Sequence, residues 1–239
     1  MPETATLPTR RDEAWRYADI DAVGRLGAEA IAEWQDLVLA AGETRRETLV
    51  IGSDEPTLKR IRLSVGDGAR FELFATNLGR DYTRLEIEVT LGKAAHFEFG
   101  GVTIGGGEAV RECVTLTVHA EPGATSNQTV RSVHWGTGTG NFLGEIKVAK
   151  DAQKTDAAQD FKGLLLEAGA SANAVPQLEI FADDVKCAHG ATVGQLDESA
   201  RYYMAARGLS PDAAKRLLVQ AFLGDAFVAL GDESEHERL

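Results

Sequence analysis

Between Thr48 and Gln195 the hydrophobic pattern has a period of two, and small-residue corners interrupt it again and again. Leu85, Ile87, Val89 and Leu91 alternate with Glu86, Glu88 and Thr90. Val114, Leu116 and Val118 alternate with Thr115, Thr117 and His119, and Leu178 and Ile180 with Gln177 and Glu179. In a strand, alternate side chains share a face, so each run predicts a strand that buries its apolar side. The corners are Gly66-Asp67-Gly68-Ala69, Gly92-Lys93-Ala94-Ala95, Pro122-Gly123-Ala124, Lys150-Asp151-Ala152 and Ala168-Gly169-Ala170. Their spacing, about 18 to 30 residues, is that of solenoid coils. Two architectures satisfy the pattern: stacked β coils, each burying a face against the next, or a β-sandwich joined by hairpins. Alternation alone does not separate them.

The flanks change period. Ile31, Trp34, Leu37 and Val38 recur at helical spacing, which predicts a mostly helical segment over Asp21 to Ala41. Residues Met1 to Arg11 are polar and are expected to fray. After Gln195, Asp197 is placed to cap ESARYYMAARG, with Gly208 where a helix ends. Ser210 and Pro211 then open a second helix, whose apolar stripe is Ala214, Leu217, Leu218, Ala221, Phe222 and Val228. Gly231 closes it ahead of the charged tail DESEHERL. The expected division is 1–47 helical, 48–195 β core and 196–239 a C-terminal helical hairpin, which must lay its stripe on the β core or on another protein.

Composition narrows the function. A hydrophobic content of 44% over 239 residues supports a sizeable core. A net charge of −12 speaks against nucleic acid or an anionic membrane as a partner, since both select basic patches. No apolar run approaches the ~18 residues of a membrane span, and the N-terminus has no apolar signal region, so the cytoplasm is the expected location. Two cysteines, Cys113 and Cys187, make no disulfide framework.

Cys187 and His189 stand two apart in a predicted strand, so both side chains face one site. Both are soft-metal ligand types, but about four ligands make a structural metal site, so the rest must come from elsewhere. Asp183 and Asp184 read as a turn cap ahead of that strand. His119 and His134 have no paired His or Cys within two to four residues and read as surface histidines. Trp135-Gly136-Thr137-Gly138-Thr139-Gly140-Asn141 lacks the Lys-Ser/Thr of a phosphate loop and reads as a coil corner, as does Gly105-Gly106-Gly107. The G-x-S-x-G nucleophile pattern is absent, and so is the clustered His set of a cupin.

The segment Asp183-Asp184-Val185-Lys186-Cys187-Ala188-His189-Gly190-Ala191-Thr192, with Pro176-Gln177-Leu178-Glu179-Ile180 before it and Gly194-Gln195-Leu196-Asp197-Glu198 after it, resembles the SufB/SufD family of the SUF iron–sulfur cluster assembly system, and most of all its SufD branch. Trp15-Arg16-Tyr17-Ala18-Asp19 resembles the WRYTD-like element near SufD N-termini. The resemblance is strong from about Lys150 to Leu230, and family members are often considerably longer. It implies a mainly β fold: a right-handed parallel β-helix with a short N-terminal helical segment and a C-terminal helical hairpin. It also implies a scaffold subunit rather than an enzyme, pairing with a SufB-like homologue; whether the chain forms a homodimer in isolation is left open by the sequence. His189 and Cys187 would lie at the subunit interface, where an iron–sulfur cluster forms transiently. The C-terminal helices, through Leu217, Leu218 and Phe222, would dock a SufC-like ATPase. The alternative that composition leaves standing is a carbohydrate-active enzyme built on a β-solenoid.

Overall fold

A computed structural model describes residues 7–231. The tail 232–239 and part of the segment expected to fray, 1–6, lie outside the described residues. Among the described residues, twelve strands run in two six-stranded sheets. One sheet has the order β1-β3-β5-β7-β9-β11: Gln35–Leu39, Thr57–Val65, Thr83–Leu91, Val110–His119, Thr139–Val148 and Ser171–Ile180. The other has the order β2-β4-β6-β8-β10-β12: Thr44–Ile51, Arg70–Asn77, His96–Gly105, Thr125–His134, Asp156–Leu165 and Lys186–Gly194. Every pairing is parallel, and successive strands alternate between the sheets. The chain is therefore a parallel β-solenoid of six turns, and the sandwich alternative falls. The coils lengthen along the axis: Arg62 meets Glu88 26 residues on, while Thr139 meets Ser171 32 residues on.

Equivalent residues stack into rows. Leu39, Val65, Leu91, His119 and Val148 form one interior row, and Leu37, Leu63, Val89, Thr117 and Ile146 another. Along one row Phe71 stacks on Phe97 at 6.4 Å, and across the interior Phe142 stacks on Phe161 at 5.4 Å. Corners turn through left-handed backbone where predicted, as at Gly68 (φ 66°) and Gly123 (φ 76°). In the Trp135–Asn141 run the corner is Trp135–Gly138, with Gly136 at φ 64°, and Thr139–Asn141 already belong to β9; in the Gly105–Gly107 run Gly105 ends β6 and Gly107 turns at φ 73°.

Three expectations are corrected. The helix predicted over Asp21 to Ala41 stops early: α1 covers Ile20–Ala32, and Trp34, Leu37 and Val38 leave it. Leu37 and Leu39 instead begin the interior rows of β1, and Trp34 lies beneath the Arg60 and Arg62 guanidinium groups at 3.8 and 4.4 Å. In β7 the inner and outer faces are exchanged: Cys113, Thr115, Thr117 and His119 are buried, whereas Val114, Leu116 and Val118 are half-buried on the outside. The histidines expected at the surface, His119 and His134, are both fully buried. His119 Nε2 meets Ser126 Oγ at 2.9 Å, and His134 meets Ser132 Oγ and the Gly105 carbonyl at 2.8 and 3.0 Å.

The N-terminal segment is bolted to the outside of β5 and β7. Buried Trp15 lies 4.0 Å from the Arg84 guanidinium, which also donates to the Ala14 carbonyl at 2.8 Å. Arg84 pairs with Glu86 and Glu112 at 3.0 and 3.2 Å, and the Tyr82 hydroxyl donates to Glu112 at 2.6 Å. Burial opposes the charge on Arg84, but Glu86 and Glu112 outweigh it and hold the guanidinium above its ordinary pKa. Asp19 caps α1 by accepting from Asp21 N and Ala22 N, both at 3.1 Å.

Candidate functional site

At the C-terminal end the stack stops. β11 and β12 are the outermost strands of their sheets, so the last coil presents unpaired strand edges. Cys187 and His189 both lie on β12. Cys187 is the register partner of Ala157, and His189 of Gln159. Gln159 is 2% exposed and reaches across the interior, its Nε2 donating to the Gly144 and Gln177 carbonyls at 3.2 Å each. In-register parallel partners share a face, so His189 occupies the interior row at the last rung. No further coil covers it, and it is exposed. Cys187 is half-buried against the small cluster of Ile146, Val148, Ala152, Ala157 and Ala182. Burial, aided by the nearby Asp156 carboxylate, raises its thiol pKa.

The two donors thus share a face of the terminal strand, with Cα atoms about 7 Å apart by strand geometry. Among the described residues no three His, Cys, Asp or Glu side chains gather to hold a metal ion. A cluster at this edge would need ligands beyond those the described residues gather here. Asp184 lies in the bend ahead of β12, but its carboxylate caps no backbone N–H: it pairs with Lys154 Nζ, while its backbone N–H donates to Gln153 Oε1 at 2.9 Å and its carbonyl accepts from Lys154 N. Asp183 is exposed in the same turn. The second cysteine, Cys113, is sealed in the core, where burial pushes its thiol up to about 12.

The C-terminal helices were legible down to their caps. Asp197 accepts from Ser199 N at 2.8 Å at the start of α2 (Glu198–Ala206), and Ser210 from Ala213 N at 3.3 Å, with Pro211 opening α3 (Pro211–Gly224). Gly208 leaves α2 with φ 87°. The stripe does less packing than its pattern suggests. Ala214 is buried, Leu218 and Phe222 are half-buried, Leu217 is 45% exposed and Val228 is exposed. The anchor is one turn further on, in the 3₁₀ turn Asp225–Leu230. There Ala226, Phe227 and Leu230 bury themselves against Phe74 and Val102 on the outside of β4 and β6. Buried Arg131 clamps Asp225 and Asp160 at 2.5 Å each. The first helix buries nothing: α2 has no buried residue, and Tyr202 and Tyr203 are exposed. The signal for the anchor was Phe227 itself, an aromatic the stripe omitted.

The class defined so far is a six-turn parallel β-solenoid with an unpaired terminal edge and an appended helical pair. The SUF system FeS cluster assembly, SufBD core domain, matches residues 25–222, and the chain belongs to that family. Among curated relatives it is 33% identical over 164 residues to the iron–sulfur cluster assembly SufBD family protein slr0076 of Synechocystis, covering 68% of this chain and 36% of that protein. It is 38% identical over 119 residues to the iron–sulfur cluster assembly protein SufD of Escherichia coli, covering 50% of this chain and 28% of that one. The SufBD family protein ML0594 of Mycobacterium leprae is 25% identical over 93% of this chain and 56% of its own length. The chain thus spans between about a quarter and just over half of the length of these relatives. No helix among the described residues is long and apolar enough to cross a membrane.

Proposed function

We propose that this chain is a scaffold subunit for iron–sulfur cluster assembly, SufD-like, working in the cytoplasm. The observation that carries this reading is the pairing of Cys187 and His189 on the unpaired terminal strand β12. A homologous solenoid adds its own terminal strand to that edge, as exposed sheet edges favour. The partner is a SufB-like subunit; a second copy of this chain takes its place when that subunit is absent. A nascent cluster is cargo at the junction, where imidazole and thiolate ligands suit iron–sulfur chemistry. The exposed side of the helical pair, with Leu217 and parts of Leu218 and Phe222, docks a SufC-like ATPase that supplies the nucleotide hydrolysis. Family membership and the SufD relative support this assignment. Against the carbohydrate-active alternative, the strand carboxylates Glu72, Glu86, Glu88 and Glu112 are all tied to arginines, not presented as an acid–base pair.

Anaerobic co-expression with SufB-like and SufC-like subunits tests it. The three chains should co-purify and show the visible absorption of an iron–sulfur cluster. A chain that stays alone and acts on sugar polymers would overturn the reading.

A further inference from the structure

The outer face of the β1–β11 sheet carries an open groove of about 270 Å³. Two register rows make its floor. One runs through Glu86, Val114, Leu143 and Val175, the other through Glu88, Leu116, Glu145 and Gln177. The N-terminal segment makes its wall and is tied down along its length. The Ala14 carbonyl accepts from Arg84, the Tyr17 carbonyl from Asn141, and the Glu13 carboxylate from Gln177 Nε2 at 2.9 Å.

In the second row an apolar residue stands between two carboxylates. Glu88 and Glu145 lie one rung to either side of Leu116, so their Cα atoms are about 10 Å apart by strand spacing. Both side chains stay partly open, 34% and 31% exposed. Each meets a cation through one oxygen: Arg62 Nε donates to Glu88 Oε2 at 3.0 Å, and Lys147 Nζ lies 3.1 Å from Glu145 Oε1. Arg62 and Lys147 do not line the groove. Exposed pairs of this kind contribute about 1 kcal/mol or less, so they leave both carboxylates able to take a further cation. Glu86 differs, being buried and taken by Arg60 and Arg84 at 3.0 Å each. Among the lining residues Glu13, Glu86, Glu88 and Glu145 stand against a single cation, Arg16.

We propose that this groove binds a linear aliphatic diamine. One ammonium meets Glu88, the other meets Glu145, and the methylene chain between them lies on Leu116 and Leu143. A saturated chain of about six methylenes matches the separation of the two carboxylates. The excess of carboxylates selects against an anion. A compact metal ion needs its oxygen ligands gathered around one point, and Leu116 keeps these two apart. The volume falls just under the ~300–1,000 Å³ of drug-sized sites, which suits a small chain molecule and not a nucleotide.

Titration calorimetry at low salt with hexamethylenediamine is the test. One equivalent should bind with a Kd of about 1 mM or below. Hexylamine, with one charge, should bind about threefold more weakly, and hexanoate should give no saturable heat. Ethylenediamine carries both charges on too short a chain and should lose about fivefold or more. Glu88→Gln and Glu145→Gln should each weaken hexamethylenediamine about threefold. Glu121→Gln, an exposed carboxylate in a coil corner away from the groove, should leave it unchanged. Should a groove variant fail to fold, the ligand series on the wild type still decides. Equal affinities for hexamethylenediamine and ethylenediamine, or equal losses in Glu145→Gln and Glu121→Gln, would mean general attraction to an acidic surface and overturn the proposal. Absence of saturable binding up to about 10 mM overturns it as well. None of these readouts needs a SUF partner, so they fail independently of the assembly role.

Discussion

Gln159 and His189 are register partners on β10 and β12, and between them the interior of the solenoid passes from closed to open. Gln159 is held by two carbonyls of the opposite sheet, whereas His189, one rung later, is exposed. An interior position that reaches the surface with no further coil over it is suited to a partner. His189→Ala removes a donor and little packing, so stability should change by less than about 0.5 kcal/mol. Complex assembly should survive, while cluster formation in cells should fall by about tenfold or more. Cys187→Ala should have a comparable or smaller effect. Wild-type cluster yield from His189→Ala complexes would make His189 a structural residue only.

The alternation of polar and apolar residues made the solenoid visible but did not set its phase everywhere. A period of two says which residues share a face, not which face is inside. In β7 the outer face is apolar because the N-terminal segment lies over it: Glu13, Ala14, Arg16 and Tyr17 border a groove of about 270 Å³ with Val114, Leu116, Leu143 and Val175. Its inner face is polar because Thr117 accepts from Gln128 and His119 meets Ser126 across the interior. A strand covered on both sides defeats a one-face reading. Likewise, Trp34, Leu37 and Val38 fit a helix by spacing, but Leu37 and Leu39 extend the rows of Leu63 and Val65, and tertiary packing outweighs local propensity. The candidate site was legible as a motif alone; that β12 ends the stack depends on pairing between residues far apart in sequence.

The Arg84–Glu112 pair should be the most sensitive polar contact in the core. Both side chains have no solvent exposure, and Glu112 also accepts from Tyr82 and Asn141. Removing the carboxylate charge leaves the buried guanidinium with Glu86 as its remaining carboxylate and weakens the bonds from Tyr82 and Asn141. Glu112→Gln should therefore cost about 2–3 kcal/mol in chemical denaturation. Because Arg84 also holds Ala14 and Trp15, hydrogen exchange over 13–19 should rise first. A loss under 1 kcal/mol would show that the network tolerates a neutral acceptor.

Acid should unfold the chain through its interior histidines. His119 and His134 are each pushed from 6.5 to about 4, mainly by burial, so the unfolded chain takes up their protons at a higher pH than the folded one. The unfolded state then binds more protons between these values, and stability falls as pH drops from about 6.5 towards 4. Each histidine contributes roughly 3 kcal/mol across that window. His119→Leu, which continues the row of Leu39, Val65 and Leu91, should flatten the acid limb of a stability–pH curve. An unchanged slope would mean that His119 is protonated in the folded state.

The helical pair should separate into an anchor and a docking face. Phe227 and Leu230 are buried on β4 and β6, and Arg131 holds Asp225, so Phe227→Ala should free the tail and cost about 3 kcal/mol. Leu217 is 45% exposed on α3, four residues before Ala221, next to the half-buried Leu218 and five residues before the half-buried Phe222. Leu217→Glu should leave Tm within about 2 °C of wild type, since an exposed surface change costs little. In pull-downs with a SufC-like ATPase, recovery should drop by about tenfold, the scale of a central apolar contact replaced by a charge. If Leu217→Glu captures the ATPase as well as wild type does, while Phe227→Ala abolishes capture, the docking face lies instead on the surface that the anchored turn presents.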